Sequence, residues 1–252
     1  MNLDSNMKAL AVIPARWAST RFPGKVLAPL AGQALILHVL RRVTAADEVE
    51  GALVATDDER VIEVVRDAGY EAVLTREDHP SGSDRIAEAI TGRHAELILN
   101  VQGDEPLVDP GALDRLVSSL RLGDGGAATL AVPVDDAAVA ADPNAVKVVC
   151  DLAGYALYFS RAVVPATHPT GEGVTGWLRH LGVYAWRRAT FEQFIARGPS
   201  PLERREGLEQ LRFLEHGGRM RVEVLNSALP GVDTPEDLAR CEALLAESGG
   251  PV

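Results

Sequence analysis

Cysteine is scarce in this chain: Cys150 and Cys241 are the only two in 252 residues. Two thiols so far apart form neither a disulfide framework nor a zinc knuckle. Both read as small apolar or surface side chains in a reducing compartment. Long apolar runs are also missing, and no stretch approaches the ~18–20 apolar residues that a membrane-spanning helix needs. The opening Met-Asn-Leu-Asp-Ser-Asn-Met-Lys lacks the basic and apolar regions of a secretory signal, so residues 1–6 read as a loose leader. Positive charge is in deficit, with 25 Lys and Arg against 36 Asp and Glu and a formal net charge of -11. That balance argues against nucleic acid or an anionic membrane as partner. An anionic ligand must find positive groups gathered in one place, and the chain is expected to act in the cytoplasm.

What is present suits an α/β enzyme. The composition is 46% hydrophobic and 24% charged, enough to bury a sizeable core. Short apolar runs at 9–13, 52–55, 72–74 and 97–101 alternate with amphipathic stretches at 35–46, 59–68, 84–90 and 111–120. Such alternation predicts βαβ units and a mainly parallel sheet covered by helices. Ligands then sit beyond the carboxyl ends of the strands, at the loops after Ile13, Ala55, Leu74 and Val101. The second half reads differently. Strand-like runs at 127–134, 146–150, 155–160 and 181–186 have few helices between them, which predicts an antiparallel extension and a pairing surface for a second subunit. Helices are expected at 188–196, 202–216 and 235–247, and a strand at 221–225. Glycine-rich stretches at 123–126 and 169–176 read as loops, the second long enough to move. No linker divides the chain, so one domain with an elaboration is expected.

The first chemical signal is residues 14–25, Pro-Ala-Arg-Trp-Ala-Ser-Thr-Arg-Phe-Pro-Gly-Lys. Three cations (Arg16, Arg21, Lys25) and two hydroxyls (Ser19, Thr20) follow the first strand, beside the backbone of Ala15. A loop so placed turns amides and cations toward phosphate. It is not a P-loop: Ser19 stands where the first glycine belongs, and Val26 where a hydroxyl must meet magnesium. No GxGxxG is present. The second signal is residues 100–106, Asn-Val-Gln-Gly-Asp-Glu-Pro. Gly103 permits a turn that presents Asp104, and Asp109 with Pro110 already accounts for the next helix start. Asp104 is therefore free to hold magnesium. In the third, residues 231–237, Thr234, Pro235 and Asp237 form an N-cap signature. There Asp233 reads equally as a turn residue or as a second magnesium ligand. The fourth, residues 75–85, offers Arg76, Ser81 and Arg85, with Ser83 placed to cap a helix and His79 read as solvated. Arg161, His180, Tyr184, Glu209 and Gln210 each have an ordinary packing or surface explanation taken singly.

Taken in order, PARWASTRFPGK, SGSDR, NVQGDEP, NAVKVV, GYALYFSR, HLGVY, SPLE, LEQLR and GVDTPEDL resemble the 3-deoxy-manno-octulosonate (Kdo) cytidylyltransferases over roughly residues 9–245. The resemblance implies a Rossmann-like nucleotidyltransferase fold, a predominantly parallel mixed sheet flanked by helices with an antiparallel dimerisation extension. It implies a homodimer, magnesium, and transfer of CMP from CTP to Kdo for lipopolysaccharide synthesis. Within a single domain, residues 1–125 would bind CTP, 126–200 would bind the sugar acid and pair subunits, and 201–252 would complete the fold. By the same resemblance Ala15, Arg16, Ser19, Thr20, Lys25, Arg76, Ser81, Arg85 and Gln102 meet the nucleotide. Asp104 and Asp233 hold magnesium, with Arg16 and Lys25 beside them in catalysis. Gln102, Arg161, His180, Tyr184, Glu209 and Gln210 surround the sugar acid.

Two departures from the family pattern stand out, the stretch 166–175 and the pair Arg204-Arg205. A cytidylyltransferase for another acid (an amino-Kdo, a sialic acid or a phosphonate) is the nearest alternative. Against a sialic acid enzyme, residues 16–21 read Arg-Trp-Ala-Ser-Thr-Arg rather than that family's glycine-containing loop. A catalytically silent nucleotide-binding protein would not be expected to keep Lys25, Asp104 and Asp233 together, and the DxD motif of glycosyltransferases is missing at Asp104-Glu105-Pro106.

Overall fold

The apolar run after the leader forms strand β1 (Ala9–Pro14), flanked in parallel by two further apolar strands. The computed structural model describes residues 7–18, 22–168, 176–228 and 230–247. Ser19, Thr20, Arg21 and the stretch 169–175 lie outside the described residues. The chain forms two compact units, Leu3–Asp114 with Ala228–Val252, and Arg115–Ser227.

In the first unit β1 leads to a 3-10 turn at Lys25–Leu27, a hairpin of β2 (Pro29–Leu30) and β3 (Gln33–Ala34), and helix α1 (Leu35–Thr44). Then come β4 (Val49–Thr56), α2 (Glu59–Asp67), β5 (Glu71–Leu74), α3 (Gly82–Ala89) and β6 (Leu97–Asn100). Helix α4 (Pro110–Leu122) begins in this unit and ends in the other. The strands lie in the order β6-β1-β4-β5, all parallel, with Ala11, Leu53 and Leu99 wholly buried. Parallel strands are covered on both faces, which is why they read as continuous apolar runs. Helix α1 buries Leu35, Ile36, Val39, Leu40 and Val43 along one stripe. Each such side chain contributes about 1.5–3 kcal/mol by leaving water. The hairpin was not anticipated, because its turn is Ala31-Gly32, at φ 47° and 80°, rather than the Asn-Gly that favours this geometry.

The helix starts are set locally. Asp58 accepts from the Arg60 amide to cap α2, and Asp109 accepts from the Gly111 amide at the start of α4, as the sequence suggests. For α3 the cap is Ser81, not Ser83: the Ser81 Oγ accepts from the Asp84 amide at 3.2 Å and donates to the Asp84 carboxylate at 2.7 Å.

The second unit holds β7 (Ala127–Val134), α5 (Ala137–Ala141), β8 (Lys147–Cys150), β9 (Ala156–Ser160) and β10 (Trp177–Arg187). Helices α6 (Arg188–Ala196), α7 (Pro201–Glu206) and α8 (Gln210–Glu215) precede β11 (Met220–Val224). Helix α9 (Pro235–Glu247) returns to the first unit. Strand β7 pairs in parallel with β11 and antiparallel with β10. Strands β10, β8 and β9 continue antiparallel, the extension expected from the sequence. An irregularity in the β10–β7 register falls between Leu181 and Tyr184.

Two expectations change here. The helix expected over 202–216 is two helices, because Gly207 adopts φ 63° and ends α7 in the left-handed conformation that glycine tolerates. A capping box between Ser200 and Glu203 starts α7, and a buried ion pair, Arg212 Nη2 to Glu203 Oε1 at 2.5 Å, ties α8 to it. The expected stretches 1–125, 126–200 and 201–252 also divide differently. The chain changes unit inside α4, and residues 201–227 join the middle stretch because β11 pairs with β7.

Candidate active site

Three sequence-distant groups of the first unit converge on one point. The Lys25 Nζ donates to Asp104 Oδ2 at 2.5 Å, to Asp233 Oδ1 at 3.0 Å and to the Val232 carbonyl at 2.9 Å. Each group is delivered by a local device. Gly24, at φ 69°, turns the chain into Lys25, and a side chain there would lie 2.7 Å from the Trp17 ring. Gly103 lets its loop press against β1, since a Cβ would stand 3.0 Å from the Pro14 carbonyl. Close approach, more than turn geometry, explains this glycine. The Val232 amide donates to the Asp104 carbonyl at 2.8 Å, and Thr234 and Asp237 cap α9 as the sequence suggests. The loop before α9 is thereby docked on the loop after β6, and Asp233 comes beside Asp104.

The electrostatics follow from this geometry. Burial by itself would lower the Lys25 pKa, but the Asp104 and Asp233 carboxylates outweigh it and hold the ammonium above its ordinary value. Lys25 is 9% exposed and fully charged at neutral pH, whereas Asp233 is exposed. Two carboxylates aimed at one cation are hard oxygen donors of the kind magnesium takes. No group of three or more acidic, His or Cys side chains suited to a metal occurs among the described residues. A two-carboxylate set fits magnesium when phosphate oxygens and water complete the shell.

The remaining residues expected at a nucleotide separate into exposed and enclosed groups. Arg16 and Arg76 are exposed, and Arg76 lies 3.5 Å from Asp78. Ala15 is buried and continues the β1–β4 ladder, its amide donating to the Ala55 carbonyl at 2.8 Å. Gln102 Nε2 donates to Asn100 Oδ1 at 3.0 Å. Ser81 is occupied in capping α3. Arg85 is 3% exposed and donates to Asp57, to the Thr75 hydroxyl and to the Arg76 carbonyl. Its guanidinium braces the loop from within, so any effect on a ligand passes through its neighbours. His79 is not solvated: its side chain is 5% exposed against Glu88, and its Nδ1 has no hydrogen-bond partner.

Arg161, His180, Tyr184, Glu209 and Gln210 all belong to the second unit. The Arg161 guanidinium donates to the carbonyls of Glu206, Pro143 and Gly207 at 2.7, 2.9 and 3.4 Å. These bonds orient the guanidinium without neutralising it. Its backbone is held from two sides, by Glu206 Oε2 accepting from the Arg161 amide and by Lys147 donating to the Arg161 carbonyl at 2.7 Å. Burial lowers the Lys147 pKa, and its ammonium donates to the backbone carbonyls of Asp142 and Arg161. His180 lies edge-on to Phe159 at 4.9 Å and beside Tyr184 at 5.4 Å. Burial pushes the imidazole down to about 3 and raises the Tyr184 phenol, with the Glu209 charge adding to the latter. Gln210 is 4% exposed, and Arg204 and Arg205 are exposed.

The state of His180 can be read from its partner. The Thr129 Oγ1 lies 2.9 Å from His180 Nε2, 2.8 Å from the Val183 carbonyl and 3.2 Å from the Leu181 carbonyl. Carbonyls only accept, so the single hydroxyl proton serves a carbonyl and Nε2 donates to Thr129. The neutral ring then presents Nδ1 as an acceptor. Thr129, Glu206 and Lys147 were not singled out by sequence reasoning. Lys147 and Glu206 carried a usable signal, since a charged residue in an apolar strand and an acid beside a glycine stop both ask for partners.

The sequence model of the family described as Cytidylyltransferase matches residues 10–223. A 3-deoxy-manno-octulosonate cytidylyltransferase of Mesorhizobium japonicum is 48% identical over 251 residues, covering 95% of this chain and 100% of its own. Its counterpart from Solibacter usitatus is 45% identical over 242 residues, covering 96% of each. Among solved structures, a CMP:2-keto-3-deoxy-manno-octonic acid synthetase complexed with CTP superposes with a TM-score of 0.90 at 39% identity, covering 96% of this chain and 99% of its own. A cytidylyltransferase from Leptospira borgpetersenii, at 17% identity, shares the fold with a TM-score of 0.65, over 96% of this chain and 87% of its own.

Proposed function

The chain belongs to the 3-deoxy-manno-octulosonate cytidylyltransferase family, and from that membership we propose that it transfers CMP from CTP to the anomeric hydroxyl of Kdo. The observation that carries the reading is the meeting of Lys25, Asp104 and Asp233 from three separate loops, within a chain related to those enzymes along nearly its whole length. In the reaction the anomeric oxygen bonds to the α-phosphorus of CTP and the bond to the bridging oxygen of the β-phosphate breaks. Pyrophosphate departs and the hydroxyl proton is lost to solvent.

The roles of this chain's residues follow from their chemistry. Lys25 and Arg16 place positive charge where phosphate oxygens gain negative charge, which stabilises the transition state more than the ground state. Magnesium would be held by Asp104 and Asp233, and when bound it supplies Lewis acidity and orients the phosphates. Arg161 offers the sugar acid's carboxylate an un-neutralised guanidinium. The neutral His180 accepts a hydrogen bond from a sugar hydroxyl at Nδ1, and Glu209 and Gln210 offer further polar contacts. Neutral groups suit a polyhydroxy substrate, because a buried unpaired charge there would be costly.

We place the reaction in the cytoplasm, as a step toward lipopolysaccharide. No helix among the described residues is long and apolar enough to cross a membrane. A homodimer is part of the same reading, supported by Leu152 and Leu157, large apolar side chains exposed at the β8–β9 hairpin. The test is pyrophosphate release with CTP and magnesium against a panel of sugar acids. Release with Kdo is expected, while release with another acid and none with Kdo would overturn the assignment.

A further inference from the structure

Asp57 joins two of the loops around the proposed nucleotide site. It follows β4, and its side chain is 7% exposed. The helix cap belongs to its neighbour Asp58, so Asp57 has no capping task. Its two oxygens serve different segments. Oδ1 accepts from the Trp17 backbone amide at 2.9 Å, and Oδ2 accepts from Arg85 Nη2 at 2.8 Å.

The first of these bonds extends the sheet. In the parallel ladder the Ala15 amide donates to the Ala55 carbonyl. Two residues further on, the Trp17 amide turns to the side chain of residue 57 instead. A carboxylate thus supplies the next rung where the strands part. This rung fixes the peptide plane between Arg16 and Trp17, and with it the direction in which the exposed Arg16 leaves the sheet. The Trp17 ring is held in turn, with the Arg60 guanidinium 3.5 Å from its centroid and Gly24 close against its edge. The second bond makes the buried Arg85 tenable, because among the described residues that guanidinium has no other carboxylate as hydrogen-bond acceptor. Arg85 in turn grips Thr75 and the Arg76 carbonyl, and Arg76 is the other exposed cation expected at the nucleotide.

We propose that Asp57 is a positioning residue for the triphosphate nucleotide: it orients the Arg16 loop through the Trp17 amide and the Arg76 loop through Arg85. This rests on the reading of the chain as a CTP-dependent transferase. The test is therefore CTP binding, measured by calorimetry without sugar acid, on Asp57→Asn, Asp57→Ala and a control, Asp114→Ala. Asp114 accepts from the Glu48 amide at 2.7 Å at the opposite end of β4, an equivalent bond remote from the site.

Asp57→Ala is expected to weaken CTP binding at least tenfold while the KM for the sugar acid stays within twofold. Asp57→Asn, which keeps an oxygen for the Trp17 amide but no charge for Arg85, should fall between it and the wild type. Asp114→Ala should lower the melting temperature and leave CTP affinity unchanged. CTP affinity within twofold of wild type in a folded Asp57 variant would overturn the proposal. So would equal loss of apparent affinity for both substrates. Should Asp57→Ala not fold, Asp57→Asn carries the same comparison. A wild-type protein that binds CTP but does not use Kdo would defeat the sugar assignment and leave this test intact.

Discussion

Lys25 Nζ stands 2.5 Å from Asp104 Oδ2, and the same ammonium touches Asp233 at 3.0 Å. A lysine near the start of the chain, a carboxylate from its middle and one from near its end therefore share one site. The ammonium sits where the pair would hold a metal ion, and its hydrogen bonds go to Asp104, Asp233 and the Val232 carbonyl. In the proposed reaction, magnesium and triphosphate would draw the lysine from the carboxylates toward the phosphates, so the two ligands are expected to assist each other.

Lys25→Met separates these roles. With no cation at the developing phosphate charge, kcat should fall about 10²–10³-fold. Nucleotide-free protein should at the same time bind Mn²⁺ at least about tenfold tighter, because a competing charge has gone. Steady-state kinetics and electron paramagnetic resonance of Mn²⁺ check the two outcomes. Unchanged Mn²⁺ affinity would mean that the ammonium does not occupy the metal position.

Thr129→Val keeps the buried shape and removes the hydroxyl that holds His180. The imidazole loses its acceptor, and two carbonyls lose a donor. The KM for the sugar acid should rise about 5–10-fold, the scale of one net hydrogen bond, with the KM for CTP within twofold. Equal changes in both would show a general loss of fold instead.

His180 makes stability fall with acid. Burial pushes its pKa down to about 3 in the folded protein from the ordinary 6.5, so between those values the unfolded chain binds the extra proton. Its contribution is complete above about pH 6.5 and is lost as pH falls, by about 1.4 kcal/mol per unit, or about 2 kcal/mol between pH 7 and 5. Urea titrations of wild type and His180→Asn should converge by that amount as pH is lowered.

Among the described residues of the second unit, Arg212–Glu203 is the most enclosed ion pair, with side chains 7% and 9% exposed. Arg212→Met leaves a buried carboxylate unpaired and should cost about 3–5 kcal/mol in urea unfolding. Adding Glu203→Gln should restore much of the loss, because the uncompensated charge is then gone. No recovery would assign the cost to packing against Phe194, whose ring lies 4.8 Å from the Arg212 guanidinium.

Much of the first unit was legible because its signals are local. Parallel strands buried on both faces read as apolar runs, and β1, β4, β5 and β6 lie within a few residues of expectation. Caps at Asp109 and Thr234 are read from neighbours two and three positions on. The misreadings came where a side chain answers to distant groups. Ser81 and Ser83 are equally good caps on paper, and burial of His79 against Glu88 depends on how a whole loop folds back.

By itself the sequence determined the α/β class and the family, because periodicity, residue type and motif order are properties of the chain alone. Spacing left Asp233 undecided between a turn and a metal ligand, and the family resemblance implied the latter. Only the tertiary structure brought it to Lys25, through the Val232 amide that docks its loop on Asp104. The same folding enclosed Arg85, which looked like a ligand contact, and gave Asp57 and Thr129 tasks that no spacing announces. A hydrogen bond depends on distance in space, and these partners lie 28 to 208 positions apart along the chain.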